Sequence, residues 1–355
     1  MRKISLVITL AVLMIFALPT VADAKEPEEY INEYSALIPE GIPTDPDDTD
    51  GLTESVSFSA ILSFALEQIS GRRSEIISFF LLLFGAVALS SLGVSAFENM
   101  SEGVRRGVSI ISSAALFSSL FPVLRAMASS LGDANAFFSS AAPVMCAISL
   151  AAGGSASASV GVAGASLTAA FVATVSSKML PFLGTLALAS SLLGSFGGSV
   201  NIAESAKRLY TRIFGMLALL ISITLSLQTV IASSTDSALM RAAKYGATTL
   251  IPSVGGVVSS AMSTLVSGLS YAKGVVGASA VGVILYIFVS PLLLLLLYRL
   301  GMSVAQTLSE LLGQKDSVAI SPFIALVDAF IASYVISCLM YVLEFVLFMK
   351  GGVGA

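Results

Sequence analysis

Read from the first residue, the chain alternates long apolar segments with short polar ones, and the lengths of the apolar segments decide its class. A helix rises about 1.5 Å per residue, so roughly 20 apolar residues cross about 30 Å of hydrocarbon. Apolar segments that reach or approach this length cover 76–97, 107–127, 136–152, 160–177, 180–198, 213–232, 275–298 and 323–349. The pattern predicts an all-α integral membrane protein, a polytopic helical bundle with about seven or eight membrane-crossing helices and additional amphipathic or re-entrant segments. Before the first span, 55–70 is short and amphipathic. It ends at Gly71-Arg72-Arg73, which suits an interfacial position.

The polar segments set the orientation. Arg105 and Arg106 close the charged loop 98–106, and Lys207, Arg208 and Arg212 crowd 201–212. Basic residues close to spans favour the cytoplasmic side. Four crossings between the two loops keep both on that side. Arg299 and Lys315 place the end of the span 275–298 there as well. The segment 301–321 reads as a short amphipathic helix, followed by a stop at Gly313 and a new start at Pro322.

One stretch, 236–277, fits neither a loop nor an ordinary span. Its first half reads as an amphipathic helix with Arg241, Lys244 and Thr248 on one side. Pro252 interrupts it, and Gly255-Gly256 marks a bend or a close backbone approach. Ser259, Ser263 and Ser267 then share a helical side with Ser260 and Ser270. Such a face lines a wet path or packs tightly against another helix. Irregular backbone at membrane depth must be covered by protein or water. The stretch is therefore expected to be an interface or a re-entrant element, with Arg241, Lys244, Pro252, Gly255, Gly256, Ser259, Ser263, Ser267, Lys273 and Gly277 as interaction or conduit candidates.

The N-terminus has the parts of a secretory signal. Arg2 and Lys3 precede an apolar run over 4–18, and Ala22-Asp23-Ala24 offers a cleavage site. The chain then divides into a signal peptide, 1–24, an acidic and partly disordered extracytoplasmic arm, 25–55, and a polytopic membrane domain, 56–355. The acids Asp45, Asp47, Asp48 and Asp50 in the arm do not make a calcium loop. Counted from Asp45, the required Gly is Asp50 and the required Glu is Val56.

Composition sharpens the class and excludes several functions. Of the 355 residues, 56% are hydrophobic and 11% charged. Soluble domains carry about 25% charge, so the lipid bilayer is the partner this composition demands. No basic tract suits nucleic acid. Histidine is absent, which removes the commonest metal ligand and general base. Cys146 and Cys338 lie far apart in apolar segments and read as small buried hydrophobes. No Walker motif, metal cluster or nucleophile elbow is present, so neither a catalytic site nor a cofactor is expected.

Two intramembrane acids remain, Asp328 and Glu344, both in the last span. A charge at membrane depth costs several kcal/mol by the order of magnitude of insertion scales, which marks it as a functional candidate. Each also sits about two turns from a helix end, within reach of the interface. Gly153, Gly154, Gly161 and Gly164, set among Ala and Ser, read as close helix packing around a Gly153-Gly154-Ser155 turn.

At 244–277 the sequence resembles a known family. Lys244, then Leu250-Ile251-Pro252-Ser253-Val254-Gly255-Gly256, Ser259-Ser260-Ala261, Gly268, Ser270 and Lys273-Gly274-Val275-Val276-Gly277 are similar to stage III sporulation protein AE of endospore-forming bacteria. The signal, acidic arm and multi-span remainder fit as well. After Lys273 the family often has Asn-Ala-Val-Gly where this chain has Gly274-Val275-Val276-Gly277. The resemblance implies a non-enzymatic, multi-pass subunit of a channel or secretion-like complex that links mother cell and forespore and sustains late forespore development. It implies other membrane subunits of that complex as partners, and the mother-cell-derived outer forespore membrane as location. Two other readings stay open. A stand-alone secondary transporter would also use Gly/Pro-interrupted apolar segments. An intramembrane hydrolase would need one indispensable serine among many.

Overall fold

The computed structural model describes residues 27–39, 42, 57–96, 102–195, 202–250, 255–312 and 320–350. All of the secondary structure in these residues is helical. In chain order the elements are α1 (Pro27–Ser35), α2 (Phe58–Gly71), α3 (Arg73–Ala96), α4 (Glu102–Ala151) and α5 (Ser155–Thr174). A π-helical turn, Val175–Met179, leads into α6 (Leu180–Ser195). The remainder is α7 (Ile202–Leu250), α8 (Gly255–Leu311) and α9 (Ser321–Lys350). The signal peptide expected at 1–24 and the acids at 45–50 lie outside the described residues.

Five stretches among the described residues are long and apolar enough to cross a membrane: Ser109–Ala151, Ser155–Leu193, Ile202–Leu239, Ser267–Leu311 and Ser321–Lys350. The expected count of seven or eight is not reached: joined segments lower the eight expected spans to six, and α3 is not among the five. The spans at 107–127 and 136–152 are one helix, α4, which runs through Pro122, Pro143 and the polar stretch between them. That stretch does not break the helix. Its Asn135 carbonyl oxygen accepts a hydrogen bond from Tyr341 at 2.9 Å, so the polar group is satisfied by a neighbouring helix. The segments at 160–177 and 180–198 also join, through the π turn Val175–Met179, which ends two residues before Pro181. A proline cannot donate to the carbonyl four residues back and collides with it, and a π turn relieves that collision. Two crossings replace four, so the basic segments around 102–106 and 202–212 still share one end. α3 covers the first expected span.

Contacts along the helices fix their directions. Tyr334 donates to the carbonyl of Met127, and Phe138 packs on Tyr341 and Phe345, so α4 and α9 run in parallel. α7 shares this direction, since Lys207 meets Asp328 and Tyr210 meets Ser333. α8 runs against α9: Gly277 lies against Met349, and Arg299 meets Asp328. α5 also descends, with Gly161 against Phe348 and Gly164 against Glu344. The bundle thus has a basic end, carrying Lys207 and Arg299, and a turn end, carrying Gly153-Gly154.

α9 is the central helix. In its most apolar window 61% of residues are buried, against 17% for α7, whose Leu209, Met216, Leu227 and Ile231 face outward. Lipid is the solvent for that apolar face. The N-terminal helices lie along α8, with Phe64 on Tyr286 and Phe79 and Phe80 on Tyr298. α2 starts at Ser57, whose hydroxyl accepts the Ala60 amide at 3.3 Å. Inside the acidic arm, α1 is a docked helix. Tyr30, Ile31 and Tyr34 share one face and are buried, while Glu28 and Glu29 stay exposed. Tyr34 packs on Phe137, and burial pushes its phenol pKa up.

The stretch 236–277 is not an element of its own. Its first part continues α7 to Leu250, and its second part is the start of α8 from Gly255. The interruption expected around Pro252 and Gly255-Gly256 falls where one helix ends and the next begins. Asp236 is level with the start of α5 and Gly277 with the end of α9, so both helices continue past the turn end. From Asp236 to Leu250 that is about 20 Å of helix. The basic residues at 202–212 are likewise helical rather than in a loop. α8 carries on to Leu311, where a separate amphipathic helix over 301–321 was expected, and α9 then starts at Ser321 with Pro322 in its first turn.

Candidate functional site

Both intramembrane acids identified in the sequence sit in charge clusters, one at each end of the bundle. At the basic end, the Asp328 carboxylate on α9 accepts from Arg299 Nε of α8 at 2.8 Å and from Lys207 Nζ of α7 at 3.1 Å. Lys207 also pairs with Glu204 at 3.1 Å, and Glu204 accepts from Arg208 Nε at 3.2 Å. The Arg299 guanidinium reaches Ser303 as well. One turn deeper, Tyr210 and Ser333 share a hydrogen bond of 2.6 Å. Asp328 therefore joins three helices through paired charges. These groups are partly exposed, so each pair contributes about 1 kcal/mol or less, and the network matters more than its members.

The turn end is built differently. α4 closes with two reversed hydrogen bonds, Gly153 N–H to Leu150 O and Gly154 N–H to Ser149 O, both 2.9 Å. Gly153 takes φ 84°, a left-handed value that a glycine adopts without steric cost. Gly154 caps α5 but has no side chain with which to accept the free amides. Asp236, from α7, does that instead. Its two carboxylate oxygens accept from Ala156 N–H at 2.9 Å and Ser157 N–H at 2.8 Å. Asp236 is fully buried, and its charge faces the positive end of the α5 dipole.

Beside it lies a cavity of about 10 Å³, lined by Ser149, Ser157, Gly161, Thr229, Lys273, Glu344, Leu347 and Phe348. That is roughly the space of one water molecule. Lys273 and Glu344 are both only 4% exposed. Among the described residues, Lys273 Nζ and Ser157 Oγ make no hydrogen bond. A serine and a lysine in one cavity suggest a hydrolase, but here they are not bonded to each other. Gly164 packs closely on Glu344, because a Cβ there would collide with the Glu344 carboxylate and with Leu225. Cys146, buried and free, lies within electrostatic reach of Lys273 and Glu344. A second pocket of about 70 Å³ sits where α2 meets α4 and α8, lined by Gln68, Arg72, Ser130, Ser290 and Pro291, among others.

The candidates from 236–277 separate accordingly. Lys273 enters the turn-end cluster, and Gly277 packs against Met349 beside it. Arg241 and Ser267 are exposed on the parts of α7 and α8 beyond the turn end. Lys244, Gly255, Gly256, Ser259 and Ser263 are placed on those helices by their backbone alone, and Pro252 lies outside the described residues. Asp236, the residue that organises the cluster, was legible only as the polar boundary of the stretch. The tyrosines of α9 that bond α4 carried no signal beyond their presence in an apolar run.

The family model for stage III sporulation protein AE matches residues 49–351. No curated protein and no solved structure matches the chain. The match takes in every described helix except α1 and includes both charge clusters, so the chain belongs to the stage III sporulation protein AE family.

Proposed function

We propose that this protein is a membrane subunit of a sporulation-specific channel or secretion-like complex linking mother cell and forespore, acting as a scaffold or as part of the conduit. The observation that carries the reading is the family match over 49–351 in a chain with five apolar helices of spanning length. In this reading a cleaved N-terminal signal starts the chain, the membrane is the mother-cell-derived outer forespore membrane, and the other membrane subunits are the partners. The parts of α7 and α8 that pass the turn end offer those partners a surface, with Arg241 and Ser267 among its exposed residues. The bundle itself is held by side-chain pairing and close glycine contacts, which suits a scaffold better than a chemical catalyst.

Deletion of the gene tests the reading. It is expected to stop sporulation after engulfment while vegetative growth stays normal. A deletion strain with a normal spore yield would contradict it.

A further inference from the structure

α8 and α9 mark out a slab of membrane thickness. Their apolar segments pair end to end, with Gly277 against Met349 and Arg299 bonded to Asp328. Counted along α8, that slab is about 33 Å deep, close to the hydrocarbon core of a bilayer. Tyr334 stands near the middle of α9. The carbonyl it bonds belongs to Met127 of α4, which lines the pocket of about 70 Å³ between α2, α4 and α8. The pocket therefore lies at mid-depth, and charge surrounds it. Arg72 lines it from the junction of α2 and α3, with Glu67, Arg73 and Glu75 close by in the chain. Arg125 and Asp133 stand on either side of Met127 and Ser130 on α4. All six charged residues are exposed, and none makes an ion pair with another described residue. Arg72 and Asp133 both lie within electrostatic reach of Tyr334, so the charges of the two elements belong to one face. The sequence suits Arg72-Arg73 to the membrane interface. The packing of Arg72 beside Ser290, Pro291 and Leu294 puts it about 10 Å further in than Arg299.

Lipid does not suit this face. A charge at the bilayer centre is costly, and the short carboxylates of Glu67 and Asp133 cannot reach an interface from there. A partner protein would have to strip water from six charges at once, which is also costly. Water solvates them without that penalty. The backbone agrees. Pro291 has no amide to give the carbonyl of Ile287, and α2 gives way to α3 at Arg72, with φ −102° and ψ 18°. Irregular backbone at membrane depth is tolerated beside water. We propose that the face of α2, α3 and α4 around this pocket lines a water-filled passage across the membrane, with the pocket as a hydrated recess in its wall. Three arginines and three carboxylates balance, so the passage admits hydrated solutes of either charge. This rests on the conduit reading of the proposed function and says which face is the wet one.

Thiol accessibility of the full chain tests it, in membranes isolated from sporulating cells and opened to both sides. Gln68→Cys, Ser74→Cys and Ser129→Cys replace exposed residues of the face. Ile213→Cys and Met216→Cys replace exposed apolar residues of α7 at similar depth, just past the Tyr210–Ser333 bond. The parent chain, with Cys146 and Cys338, gives the baseline. Two small lipid-insoluble methanethiosulfonates are used, one cationic and one anionic. Both are expected to modify the face cysteines at least about tenfold faster than the α7 pair, because charged reagents enter lipid poorly. Ser74→Cys and Ser129→Cys are nearly isosteric, so a readout remains if Gln68→Cys does not accumulate. Face cysteines as slow as the α7 pair overturn the passage, whether lipid or a partner covers them. Modification by one reagent alone overturns the passage of both charges. Slow face cysteines in a strain whose deletion blocks sporulation remove the passage and leave the sporulation role standing. Fast ones in a strain whose deletion sporulates normally keep the wet face and remove that role.

Discussion

Asp236 does for α5 what that helix cannot do for itself. Its cap residue is Gly154, so the first amides are satisfied by a carboxylate from another helix. Asp236→Ala is expected to cost about 1–2 kcal/mol through the lost cap alone. Asp236→Asn, which keeps an acceptor, should cost less. Thermal midpoints in nanodiscs check the order, and equal losses would contradict the capping role. Glycines give a second test of side-chain packing. Gly164→Ala drives a methyl into the Glu344 carboxylate and Leu225, and is expected to destabilise the bundle. Gly132→Ala enters open space on α4 and is expected to be neutral or stabilising by up to about 1 kcal/mol. A reversal of that order would sink the packing account. Composition and position singled out Lys273 and Glu344 individually. Their place in the lining of one cavity was not legible, because the residues lie on different helices and no local pattern joins them. Asp236 was harder still, since its partners are backbone amides about eighty positions away in the chain.

The apolar periodicity located nearly every helix but misjudged where helices end. Polar stretches and prolines were read as breaks at 128–135 and at 178–181. In the folded protein the first is bonded to α9 through Asn135, and the second is absorbed by a π turn. Local sequence cannot show whether a polar residue has a distant partner, and that partner decides between a loop and a continuous helix. Charge misled in the same way at α1. The glutamates suggest a solvated arm, while Tyr30, Ile31 and Tyr34 at i, i+1 and i+4 form a docking face. The start of α8 carries a further prediction. Replacing Gly255-Gly256 with bulky residues is expected to harm complex assembly more than Asp328→Asn. The Asp328 pairs are partly exposed and weak individually, whereas the glycines open the helix that passes the turn end. Co-purification of partners from the two variants checks this, and the opposite order would contradict it.

Lys207, Arg208, Arg212 and Arg299 lie at the end of the bundle opposite the turn-end cluster, and the positive-inside rule predicts a cytoplasmic position for that end. Cysteines introduced at Ser205 and Ser267, both exposed, should therefore label from opposite sides of the membrane. Labelling from the same side would contradict the directions assigned to α7 and α8. Parity explains why the shared end of the two basic segments was legible although the span count was not. Joining segments in pairs removes two crossings and leaves both basic segments on one side. The assignment to a sporulation family rests on the match over 49–351, whereas the role within a complex rests on what that membership suggests. Affinity purification of the tagged protein from membranes of sporulating cells tests that role most directly. The account predicts a stable assembly containing other sporulation-specific membrane proteins. Recovery of the protein alone, from cells that sporulate normally with the tag in place, would contradict it.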